Sequence, residues 1–341
     1  MEASGVSPGS LFCYNTRMEY RPLGKTGLSL SVIGYGASPL GGVFGAVDEA
    51  DSVRCVQTAL GMGVNYVDVS PFYGQTTAEV RLGRALRGIP RDQYYLSTKV
   101  GRYGGSDFDF SAPRVRRSVD ESLSRLGLEY VDILLCHDIE FASLNQIIEE
   151  TLPALRYVVT TGKARFIGIT GLPLGIFPAV LERAETDVIL SYCHHTILDT
   201  SLDTLLPYLH AKNVGVINAS PLAMGLLSGN LSSLPEWHPA PQPMRDAVAH
   251  AAAHCRSRGV NLADLALAFS VSRPDIATTL IGSASEREMR HNIQVVENSP
   301  PPDPTLLAEV RALLRPVRDQ SWPSGISEND PEHHGVFLHP R

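Results

Sequence analysis

Nowhere does an uninterrupted apolar run approach the ~20 residues that a membrane-spanning helix requires. A basic excess is missing as well. Lys and Arg number 29 against 36 Asp and Glu, giving a formal net charge of -7. Nucleic-acid-binding proteins usually carry a basic face, so the expected partner is a small molecule, with neither nucleic acid nor membrane involved. Cysteine is sparse. Cys13, Cys55, Cys136, Cys193 and Cys255 are odd in number, widely spaced and form no CxxC pair, which argues against a disulfide framework and against a zinc site. Residues 1–18 lack the basic start and apolar core of a secretory signal and are expected to be a flexible leader. A reducing, cytoplasmic setting is therefore expected, and no metal.

What the chain does have is a globular composition, 43% hydrophobic and 19% charged, and a repeating pattern. β-branched runs at about 30–37, 65–70, 94–100, 131–137, 164–170, 187–193, 215–220 and 278–282 alternate with amphipathic stretches. The latter fall at 50–62, 77–87, 112–126, 143–161, 174–185, 200–212, within 244–273, and at 285–297. Strands that alternate with helices are parallel, because a parallel connection has room for a crossover helix. Eight such units make an α/β (β/α)8 TIM barrel over residues 19–316. An open doubly wound sheet would carry GxGxxG after its first strand, whereas Gly34-Tyr35-Gly36 runs into Ala37-Ser38-Pro39.

Tyr20 to Gly36, with Gly24 and Gly27 at its turn, reads as an N-terminal β-hairpin capping the barrel floor. Asp51, Ser111, Ser143 and Ser285 are expected helix N-caps, and Gly127 and Gly162 helix stops. The long Leu222–Pro243 segment follows the seventh strand and is expected to be a lid. Residues 317–341 form an irregular C-terminal tail.

Active sites of such barrels lie at the C-terminal strand ends. Asp68, Lys99 and His137 end the second, third and fourth strands, and Tyr73 lies just beyond the first of them. Burying an isolated charge is costly, so Asp68 and Lys99 are expected to neutralise one another, either as a structural ion pair or as part of a catalytic set. A free phenol, with a pKa of about 10, is a poor base near neutrality; an adjacent ammonium lowers that value. His137, as a neutral partner, can hold a substrate oxygen against the phenol. The set suits proton transfer at an alcohol oxygen coupled to hydride transfer, and hydride requires a nicotinamide carrier.

Asp68-Val69-Ser70-Pro71-Phe72-Tyr73-Gly74, Ser97-Thr98-Lys99, Leu135-Cys136-His137, Ser220-Pro221-Leu222 and Ile281-Gly282-Ser283 together resemble the aldo-keto reductase family over about residues 19–298. Gly101-Arg102-Tyr103, His137-Asp138-Ile139-Glu140-Phe141 and Trp322-Pro323-Ser324-Gly325-Ile326 narrow the resemblance to plant members that oxidise L-galactose at C1 to L-galactono-1,4-lactone for ascorbate. The resemblance implies Tyr73 as acid/base, with Lys99 lowering its pKa, Asp68 supporting Lys99, and His137 orienting the sugar.

It also implies a cofactor set of Thr170, Ser191, Ser220, Leu222, Gly282, Ser283, Glu288 and Asn292. Family members that use NADP place basic residues at the positions of Gly282 and Glu288, so the acidic side chain implies NAD. Ala219 stands where a ring often stacks on the nicotinamide. His194, Trp237 and His238 are the candidate sugar contacts, and a monomer or weak homodimer is expected. The tetrad itself leaves other substrates open, among them L-fucose, D-arabinose and pyridoxal, and leaves open a redox-sensing regulatory barrel.

Overall fold

The computed structural model describes residues 18–298 and 302–331. The leader up to residue 17 and the tail beyond 331 lie outside them. Strands β1 (Tyr20–Pro22) and β2 (Ser29–Ser31) pair antiparallel as the expected hairpin. Eight parallel strands follow: β3 (Ile33–Gly36), β4 (Tyr66–Asp68), β5 (Tyr95–Val100), β6 (Val131–Cys136), β7 (Ala164–Gly171), β8 (Val188–Tyr192), β9 (Gly215–Ala219) and β10 (Thr278–Ile281). They pair in sequence order, and β10 returns to β3 to close the barrel.

Side-chain alternation sorts the core. Tyr66, Ile133, Leu135, Val188, Leu190, Ile217 and Leu280 fill the interior, and Leu23, Leu28 and Leu30 of the hairpin join them, plugging the floor. The opposite residues of the same strands, such as Val67, Leu96, Leu134, Ile167 and Ile189, pack outward with the helices. A floor closed by apolar side chains leaves the other end, where β4, β5 and β6 deliver Asp68, Lys99 and His137, as the open mouth.

Several local expectations change. The run at 30–37 is two strands, because Val32 N–H turns aside to Glu19 O at 3.0 Å between β2 and β3. The first long helix, Glu49–Gly61, is capped by Asp48, whose carboxylate accepts from Asp51 N at 2.7 Å; Asp51 sits inside the first turn. Ser111 and Ser143 occupy N-cap positions without side-chain cap bonds. Gly127 caps in the left-handed region as expected. The stretch at 143–161 contains a π turn, Ile147–Thr151, ahead of Pro153; proline offers no N–H to the preceding turn, and the wider turn absorbs the defect.

Two features went unforeseen. A further helix, Pro304–Leu314, buries Leu306, Val310 and Leu314 with Met244, Val248 and Ala251 of the helix Gln242–Ser257. The segment beyond it folds back over the mouth. Ser324 Oγ donates to Glu140 Oε1 at 2.8 Å, Ile326 N to Glu140 O at 2.9 Å, and Asn329 Nδ2 to Ala142 O at 2.7 Å. Gly325 permits this docking, since a Cβ there would lie 2.3 Å from Glu140 O and its φ is +86°.

Candidate active site

Asp68, Ser97 and Lys99 share the interior face of β4 and β5. Lys99 is 1% exposed, so its ammonium depends on protein partners. It has three: Asp68 Oδ2 at 2.5 Å, Val69 O at 3.0 Å and the Tyr73 hydroxyl at 3.1 Å. Those match its three donors. Behind it, Ser97 Oγ donates to Asp68 Oδ1 at 2.6 Å and lies 2.7 Å from the Tyr66 hydroxyl. A buried line of hydrogen bonds thus runs Tyr66, Ser97, Asp68, Lys99, Tyr73. Tyr66 and Ser97 were not singled out from sequence, although each stands two residues before Asp68 or Lys99 and so on the same face.

Tyr73 is held by a tight turn, its N–H donating to Ser70 O at 3.1 Å. Gly74, Gln75 and Thr76 then run at φ of 60°, 50° and 74°. Only glycine fits at 74, where a Cβ would sit 2.2 Å from Gly41 O. Ser70 also fixes the histidine: its Oγ lies 3.0 Å from His137 Nδ1. The imidazole stands edge-on to Tyr73, ring centroids 5.7 Å apart, leaving Nε2 as the ring nitrogen available to a ligand.

The electrostatics amend one expectation. Burial pushes the Tyr73 phenol up to about 12; Lys99 works to lower it, but burial outweighs that and Asp68 opposes it. The resting phenol is therefore protonated. Burial alone would depress the Lys99 ammonium, yet Asp68 and Tyr73 hold it above its ordinary value. Burial drops His137 to about 3, more than the neighbouring Asp138 can offset, so its imidazole is neutral as expected.

A groove of about 660 Å³ runs from Asp68 and Tyr73 between the loops after β3, β9 and β10, within the usual range of small-molecule sites. Ser220, Leu222, Gly282, Ser283 and Glu288 line it, as do Gly36, Phe44, Asp48, Asp51 and Met224. Ser283 Oγ donates to Glu288 Oε2 at 2.9 Å. Groove volume and small residues at Gly36, Ala219 and Gly282 fit a nicotinamide dinucleotide. Leu222 to Pro235 form one wall, and Trp237 meets Phe44 from the opposite loop at 5.7 Å, spanning the two sides.

Other candidates lie elsewhere. Thr170 Oγ1 accepts from Asp138 N at 2.9 Å, on the far side of the tetrad. Ser191 follows the interior residue Leu190, so alternation turns it toward the helices, in register with Asn218; its hydroxyl is buried and unpartnered there and does not line the groove. Asn292 is one turn beyond Glu288 on the helix Glu286–Asn298, outside the groove lining. His194 is buried, its Nδ1 2.9 Å from both Asp199 and Ser201. His238 bonds Ala223 O and Ala240 N and packs on Trp322, bracing the loop after β9. Of the three proposed sugar contacts only Trp237, 48% exposed, presents a free face.

The Aldo/keto reductase family model matches residues 32–312. L-galactose dehydrogenase of Arabidopsis thaliana is 51% identical over 321 residues, covering 92% of this chain and 100% of its own length. D-arabinose 1-dehydrogenase of Saccharomyces cerevisiae is 31% identical over 305 residues, 82% of this chain and 90% of that protein. An aldo-keto reductase from Bacillus halodurans, solved in its holo form, superposes with a TM-score of 0.71 at 28% identity, over 88% of this chain and 96% of that one.

Proposed function

This chain belongs to the aldo/keto reductase family, and we propose that it is an NAD-dependent aldose 1-dehydrogenase that oxidises L-galactose at C1 to L-galactono-1,4-lactone. The observation that carries the chemistry is the Asp68, Lys99, Tyr73 chain of hydrogen bonds beside a neutral His137. The substrate reading rests on 51% identity to the Arabidopsis L-galactose dehydrogenase along its whole length. When bound, the nicotinamide supplies the acceptor for hydride from the sugar C1 and, oxidised, a positive charge that favours the phenolate.

The chain's own residues manage the proton. His137 Nε2 holds the C1 oxygen, Tyr73 takes the hydroxyl proton, and Lys99 stabilises the phenolate that receives it. Asp68 keeps Lys99 charged and aimed. The preference for NAD is supported by the carboxylates that line the groove besides Asp68, namely Asp48, Asp51 and Glu288, which repel a ribose phosphate while Glu288 can accept from a hydroxyl. The nearby Arg54 and Arg290 are engaged with Glu286.

NADH formation followed by absorbance, with L-galactose, L-fucose, D-arabinose and D-galactose in parallel, tests this directly. L-Galactose with NAD is expected to give the highest kcat/KM. Activity confined to non-sugar aldehydes with NADPH would overturn both substrate and cofactor.

A further inference from the structure

Opposite the cofactor groove, Tyr73 and His137 face a second polar cluster that the tetrad does not use. Asp138 follows His137 at a left-handed φ of 49°. Its Oδ2 lies 3.7 Å from His137 Nε2 and 2.5 Å from Arg102 Nη1, and its Oδ1 accepts from Thr170 Oγ1 at 3.2 Å. The Arg102 guanidinium is stacked 3.9 Å from the Phe72 ring centroid, with Phe141 at 5.1 Å and Phe108 at 5.4 Å, and its Nε is buried without a partner. Tyr192, partly exposed at the end of β8, is close enough to feel the charges of Asp138, Glu140 and Arg102.

An ion pair so enclosed contributes little net stability, because desolvation offsets the attraction. Its position is more informative. With His137 Nε2 in the role proposed above, holding the oxygen on the reacting carbon, the Asp138 carboxylate is the next acceptor, 3.7 Å from that nitrogen, and the Arg102 guanidinium lies beyond it. Two hydroxyls on adjacent sugar carbons need two such neighbouring partners. A simple aldehyde would leave the second, charged partner facing apolar substrate.

We propose that Asp138 and Arg102 are specificity-determining residues that bind the hydroxyl on the carbon next to the reacting one, selecting 2-hydroxy aldehydes and aldoses over plain aldehydes. The proposal rests on the reading of the mouth as an aldose site.

The test is the ratio of kcat/KM for NADH-dependent reduction of glyceraldehyde and of propanal, whatever the absolute rates. The wild type is expected to favour glyceraldehyde by about 100-fold, and Asp138→Asn and Arg102→Lys each to shrink that ratio at least about tenfold. No preference in the wild type, or a ratio unchanged in the variants, would overturn the proposal. Arg102→Lys keeps the charge while removing the planar fork, so it reports even if Asp138→Asn folds poorly. A wild type idle on L-galactose whose glyceraldehyde preference is still erased by the variants would sink the L-galactose reading and leave this one standing.

Discussion

On the groove side of Tyr73 the walls include backbone and small side chains, Gly36, Ala219, Ser220, Gly282 and Ser283, and beyond Asp68 the lining carboxylates are Asp48, Asp51 and Glu288. On the other side Arg102 is stacked among Phe72, Phe108 and Phe141 and paired with Asp138, with Glu140 and Tyr192 near enough to feel the charge. The first arrangement suits a long ligand that is read by many weak contacts. The second holds a few strong groups in place before any ligand arrives, which lowers the ordering cost on binding. Tyr73 is the residue both sides share.

Removing that shared residue is the most severe way to break the contrast. Tyr73→Phe is expected to lower kcat roughly 10³-fold, within the range of a lost general acid or base, and single-turnover rates would reveal it. Near wild-type turnover would strip Tyr73 of its role. On the groove side alone, Glu288→Arg is expected to move the NAD/NADP ratio of kcat/KM about tenfold toward NADP, equivalent to about 1.4 kcal/mol; an unchanged ratio would remove Glu288 from cofactor choice.

The smallest effect belongs to the opposite wall. Burial raises the Glu140 carboxyl to about 8, and Asp138 adds to that. A folded-state value raised above the unfolded one means the folded chain keeps a proton that the unfolded chain releases. The associated stability is complete below about pH 4.5 and is lost as pH rises through about 8. Thermal melts of Glu140→Gln should therefore gain on wild type by about 2–4 °C between pH 5 and pH 8. A pH-independent gap would show that Glu140 is ionised in the fold.

The barrel and the tetrad were legible because each depends on one strand at a time: a β-branched run, then a functional residue at its end. Ser191 shows the same rule neglected, since its place after the interior Leu190 turns it away from the groove. The raised phenol was not legible, because charge proximity can be read from sequence whereas the depth of burial around Tyr73 cannot. Arg102 and Asp138 were quoted within motifs, yet their pairing depends on how the loops after β5 and β6 lean together. The clasp on Glu140 was beyond reach, since nothing local to Ser324 names its partner.

That clasp joins positions 184 apart. At about 5–20 residues per second, a ribosome delivers Ser324 roughly 10–40 s after Glu140. The tetrad can assemble in the nascent barrel during that interval, while the polar wall beside it still faces water. Completion of that polar wall is thus timed by the last described stretch of chain to be made, and shortening that stretch is expected to leave a folded barrel whose Glu140 side stays open to water.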